Sequence, residues 1–148
     1  MDPTSIPDVK EWTETVGGGT DYLDYLSQSG HMGLGAWAAF ARVFMPRFVA
    51  VEGCVLWDRV YEPGNFRAWH KQLRGDATAI EATLNQFRLW DYVHIPDDPA
   101  SEAGALALAQ QIADSWHRCL SLTFPARAFD VKAWESEDGP TVSFVTLR

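Results

Sequence analysis

Phe129-Asp130-Val131-Lys132-Ala133-Trp134, the connector Glu135-Ser136-Glu137-Asp138-Gly139-Pro140, and Thr141-Val142-Ser143-Phe144-Val145-Thr146-Leu147 together decide the fold. Side chains on a strand alternate faces, so each flank sends an apolar row to one side and a mixed row to the other. The acidic connector contains Asp138-Gly139-Pro140, whose glycine has the backbone freedom that a chain reversal needs. A shorter version of the same pattern runs from Phe48 to Trp57, with Glu52-Gly53 at its middle. Two hairpins are therefore predicted. They are expected to share one antiparallel sheet covered by helices on one face, because a lone two-stranded hairpin is marginal in water.

Helix-period segments fill the rest. Residues 1–18 form a lead-in, expected to be loosely packed, in which Ile6, Val9 and Trp12 can make one helical turn. Thr20 or Asp21 can cap a short helix carrying Tyr22, Leu23 and Leu26 and stopping at Gly30. Trp37, Phe40, Ala41, Phe44 and Met45 make an apolar stripe on a helix from about Leu34 that Pro46 closes. After the first hairpin, Asn65 can cap a helix with Phe66, Trp69 and Leu73 on one face. Thr78 and Glu81 have capping-box spacing at the head of a fourth helix, whose Ile80, Leu84, Phe87 and Trp90 fall on one side. Residues 94–100 read as a loop, after which Ser101 can cap the longest helix. Its Ala105, Ala109, Ile112, Trp116 and Leu120 recur every three or four residues, and it should stop near Phe124-Pro125. The expected order is α-α-β-β-α-α-α-β-β, a single α+β domain over residues 1–148 with no solenoid-like repeat.

A chain of 148 residues can bury roughly two-thirds of its unfolded surface. Its 47% hydrophobic and 22% charged composition is that of a soluble globular protein. No apolar run approaches the ~20 residues of a membrane helix, and the acidic, proline-broken N-terminus does not resemble a secretory or transit signal. Two cysteines, Cys54 and Cys119, are expected as reduced thiols in a cytoplasmic setting. The net charge of −8 speaks against direct nucleic-acid binding, which needs clustered Lys and Arg. Residues 1–30 carry one base and six acids, 31–75 six bases and three acids, 76–99 one base and five acids. Such scatter is most often a solvated surface. Its sharper meaning is an acidic face, with Asp21 and Asp24 from one segment and Asp91, Asp97 and Asp98 from another, that meets a basic protein.

No motif dictates a chemistry. Zinc sites need three or four ligands, usually in close pairs, and His117-Arg118-Cys119 on a helix points its i and i+2 side chains roughly 200° apart. Asp91 and His94 have the spacing of a carboxylate orienting an imidazole, but a histidine at a helix C-terminus also serves as a plain cation on the dipole. No serine stands on a Gly-x-Ser-x-Gly elbow. Gly17-Gly18-Gly19-Thr20-Asp21 before a helix lacks the Lys of a phosphate loop and puts acids where the anion would sit. Cys54 and Cys119 fall on apolar faces, where thiols are inert. Neither a metal nor a cofactor is expected. Were the chain an enzyme, its site would be assembled from distant residues, with His70, Asp91, His94 and His117 as the pool.

Seven tryptophans are the compositional excess. Trp37, Trp69, Trp90 and Trp116 fall on predicted apolar helix faces, so a core accounts for them. Trp12, Trp57 and Trp134 do not, and of these Trp57 and Trp134 are the candidate interface anchors. This small, acidic, Trp-rich α+β chain resembles the immunity proteins that bacteria pair with toxin domains. The resemblance lies in size, charge and architecture and transfers no residue roles. It implies a non-enzymatic, cytoplasmic binding protein of the immunity, antitoxin or adaptor kind, with no membrane partner. The alternatives are the small enzyme above and a structural subunit that assembles through its hairpin edges.

Overall fold

The computed structural model describes residues 1–28 and 32–148. The second hairpin forms as predicted: β4 (Ala128–Ser136) and β5 (Gly139–Leu147) pair antiparallel from Ala128↔Leu147 to Ser136↔Gly139. Gly139 stands at φ 78°, in the left-handed region its turn requires. The first hairpin joins β1 (Phe48–Val51) to β2 (Cys54–Trp57) through Glu52 at φ 45° and Gly53 at φ 84°. Two successive positive φ values match the twist of a tight hairpin.

Among the described residues six α-helices surround these strands: α1 (Pro7–Val16), α2 (Tyr22–Gln28), α3 (Leu34–Phe44), α4 (Pro63–Gln72), α5 (Ala77–Leu84) and α6 (Pro99–Thr123). The lead-in thus contains a full helix, and Trp12 of α1 meets Tyr25 of α2 edge-on at 5.7 Å. The predicted helix stop at Gly30 lies outside the described residues. The caps differ from those expected in a consistent way. Glu62, Asp76 and Asp98, not Asn65, Thr78 and Ser101, accept the first free N–H groups of α4, α5 and α6. In α4 and α6 a proline follows the acid at the first helical position, where its missing N–H costs nothing. No described helix is long and apolar enough to cross a membrane.

The α+β class and the approximate element order hold, but the hairpins do not share a single sheet. β1 and β2 form one sheet, and the other has the order β3-β5-β4, with β3 only Phe87–Arg88. The division comes from two side chains of the α5 region that occupy the gap where β2 would pair with β5. Glu81, fully buried, accepts the Val55 N–H at 2.8 Å with one oxygen and the Thr146 N–H at 2.6 Å with the other. Asn85 accepts the Trp57 N–H at 3.0 Å and donates to the Val55 carbonyl at 2.9 Å and the Phe144 carbonyl at 3.4 Å. Arg148 closes the cluster by donating to both Glu81 oxygens, at 2.8 and 3.1 Å. The Glu81 interaction also raises the guanidinium pKa. Backbone groups that a strand would have paired are thus satisfied by a carboxylate and an amide.

The fourth predicted helix is also corrected. It ends at Leu84; Phe87 and Arg88 then pair with Val142 and Thr141, and Leu89–Asp91 is a 3-10 turn. Leaving the helix lets both Phe87 and Leu89 enter the core, at 5% and 2% exposure, and turns Trp90 outward. β2 is buried on both faces because it divides two apolar clusters. Val55 and Trp57 face Ile112, Trp116, Leu120, Val142 and Phe144, while Cys54 and Leu56 face Phe66 and Ile80. Burial, followed by the nearby Glu81 carboxylate, pushes the Cys54 thiol pKa up. Cys119 is half-buried, and both cysteines are free.

Candidate functional site

The start of α6 lies across from the tip of the second hairpin, and the gap between them is a groove of about 790 Å³. Trp90, Ile95, Pro96, Leu106 and Pro140 supply apolar walls; Asp97, Glu102 and Glu135 supply the charge. Among the described residues no Lys, Arg or His lines it. Among the described residues none of these three carboxylates enters an ion pair, whereas Asp138 at the same hairpin tip is already held by Arg88 at 3.3 Å. Trp90 is 55% exposed, a large fraction for an indole at the lip of an acidic groove.

The position of Trp90 is set by the turn residue opposite. A side-chain carbon added at Gly139 would collide with the indole. Gly139 therefore serves twice, as the left-handed residue of the hairpin and as the seat against which Trp90 rests. The other wall is set by Asp98, which accepts the Ala100 N–H at 3.0 Å and the Ser101 N–H at 2.9 Å and so fixes where α6 begins. The Ser101 hydrogen bonds hold the Asp98 carboxyl below its ordinary value. A carboxylate depressed in the folded state stabilises the fold above its unfolded pKa, and that contribution disappears as pH falls through the folded value. The melting-temperature difference between wild type and Asp98→Ala is thus expected to be full at neutral pH and to close below the ordinary carboxylate range. A gap independent of pH would show that charge at this cap is unimportant.

The structure brings together only some of the residues singled out in the sequence. Asp97 lines the groove, and Asp98 lines an adjoining hollow with Asp8 and Glu11 of α1. Asp21 and Asp24 line neither. Asp21 accepts the Leu23 N–H at 2.8 Å, and Asp24 accepts the Asp21 N–H at 3.0 Å, so both organise the start of α2. Asp91 is exposed on the 3-10 turn and lines neither hollow. Trp57 is corrected from anchor to core: it is 3% exposed and packs on Trp116 at 5.0 Å. Trp134 is 39% exposed on β4. Trp37 and Trp90, expected in the core, are both largely exposed, while Trp116 is fully buried. Glu102, Glu135 and Trp90 are the groove residues that the sequence did not mark. Faint signals existed in the acid at the start of α6 and in the acidic hairpin connector.

Among the described residues no hydrogen bond or ion pair joins any two of His70, Asp91, His94 and His117. His70 instead faces Glu52 of the first hairpin turn at 3.5 Å, and His94 and His117 are exposed. No group of three His, Cys, Asp or Glu among the described residues is arranged to hold a metal ion. Comparison with protein-family models, with curated proteins and with solved structures finds no match to this chain.

Proposed function

We propose that this chain is a non-enzymatic protein-binding domain of the immunity, antitoxin or adaptor kind, working in the bacterial cytoplasm. Its groove receives a basic segment of another protein. The observation that carries this is the groove's composition: Asp97, Glu102 and Glu135, with no ion pair and no base among the described lining residues, next to a half-exposed Trp90. Carboxylates on a rim steer an oppositely charged partner, while an exposed indole with apolar neighbours supplies the area that a bound segment must desolvate. An Arg or Lys side chain suits both, since its stem covers apolar surface and its head meets a carboxylate.

The test begins with affinity capture from the native host at low salt, because charge-steered partners are lost as ionic strength rises. Association of the captured protein is then followed with wild type and with the Asp97→Asn, Glu102→Gln, Glu135→Gln triple variant, which keeps Asp98 and therefore the helix cap. The association rate is expected to fall about tenfold or more and to lose most of its salt dependence, with an unchanged unfolding midpoint. Trp90→Ala is expected to act mainly on dissociation. A partner that binds the triple variant at the wild-type rate would place the interface elsewhere, and turnover of a small molecule that disappears on His94→Ala would favour an enzyme.

A further inference from the structure

A second cavity, unrelated to the acidic groove, lies beneath α3. It measures about 520 Å³, within the range of roughly 300–1,000 Å³ typical of small-molecule sites. Its walls come from four parts of the chain: Ala36, Phe40 and Val43 of α3, Trp57 at the end of β2, the residues Phe87, Leu89, Tyr92 and Val93, and Leu108 and Ile112 of α6. Among the described residues the lining is apolar except for Tyr92 and two arginines, Arg42 and Arg59, and no acid lines it. The two arginines are in different states. Arg42 is occupied by Asp58 at 2.7 Å. The Arg59 guanidinium lies over the Trp57 and Tyr92 rings at 5.2 and 5.1 Å, and among the described residues no carboxylate pairs with it. An unpaired planar fork of N–H donors at the edge of an apolar hollow matches one carboxylate.

The outer wall is fixed at one end. Trp116 Nε1 donates to the Val43 carbonyl at 2.7 Å, and the Ser115 hydroxyl donates to the Phe44 carbonyl, so the last turn of α3 is bound to α6. No residue of α3 is fully buried, although the helix is strongly apolar. Much of its inner face therefore looks onto the cavity rather than onto packed side chains.

We propose that this cavity binds a small amphipathic monocarboxylate, with its apolar tail between α3 and α6 and its head on Arg59. Decanoate, kept below its micellar concentration, is the probe, and 1-decanol is its uncharged counterpart. Calorimetric titration should show saturable one-to-one binding of decanoate, with 1-decanol at least tenfold weaker. Arg59→Gln should bring decanoate to the level of decanol and leave decanol unchanged. Ala36→Phe, which fills the hollow from α3, should abolish binding of both; Leu108→Trp fills it from the opposite wall and replaces Ala36→Phe if that variant does not fold. The triple groove variant should bind decanoate normally, which separates this site from the acidic groove. Absence of saturable decanoate binding, equal affinity for decanoate and decanol, or full binding by a folded cavity-filled variant would each overturn the proposal.

Discussion

Glu81→Ala is expected to unfold at a much lower urea concentration than wild type, with a loss of about 3–5 kcal/mol, the range for removing one partner of a buried ion pair. The Arg148 guanidinium is a minor part of that loss because its side chain is 35% exposed and can turn to water. The larger part lies in the backbone. Without the carboxylate, the Val55 and Thr146 N–H groups keep their places between β2 and β5 with nothing to accept from them. Each stranded buried donor costs about 1–3 kcal/mol. Glu81→Gln keeps one acceptor oxygen but turns an amide N–H₂ toward a donor, so it should fall between the two. An unchanged midpoint for Glu81→Ala would mean that water or a sheet rearrangement replaces the carboxylate without loss.

Trp116→Ala should cost a similar amount, about 3–5 kcal/mol, by a different mechanism. The indole is fully buried at the meeting point of both sheets, with the rings of Phe48, Trp57, Phe87 and Phe144 between 5.0 and 6.3 Å away. Truncation opens a cavity where backbones from both sheets and α6 converge, which leaves little freedom to collapse. It also removes the Nε1–H that holds the Val43 carbonyl, so the end of α3 should loosen. Trp116→Phe separates the effects by restoring part of the ring volume without the donor. Phe44→Ala should cost less, because Phe44 packs against the core but is only half-buried. Urea denaturation checks the order, and a Trp116→Ala midpoint equal to wild type would contradict the core assignment.

What the sequence made legible was whatever depends on local chemistry. Both hairpins could be placed because alternation and a Gly at the reversal act within ten or twenty residues. The long helix could be placed because Ala105 to Leu120 repeat on one face. Glu81 could not be assigned its role, because its partners lie at Val55 and Thr146, 26 and 65 residues away, and nothing near Glu81 announces them. The split of the sheet was hidden for the same reason. Phe87 and Trp90 have helical spacing with Ile80 and Leu84, yet pairing with β5 and burial of Leu89 outweigh that local preference. The groove shares this limit. Asp97 was marked by its charge, but Glu102 and Glu135 are neighbours only because the second hairpin folds back beside the start of α6.

Seen from the standpoint of association between copies, the Glu81–Asn85 seam has a further effect. An unpaired strand edge is a template onto which another chain can add. Here backbone groups of Val55, Trp57, Phe144 and Thr146 on the facing edges of β2 and β5 are bonded to side chains that cannot propagate a ladder, so this border does not invite a foreign strand. A chain with a damaged seam would retain two hairpins, each with its internal pairing intact, while Val55, Trp57, Phe144 and Thr146 offered their free backbone groups outward. The buried carboxylate and amide therefore act as a molecular hem, keeping a β-rich half of the protein from growing at its own internal border.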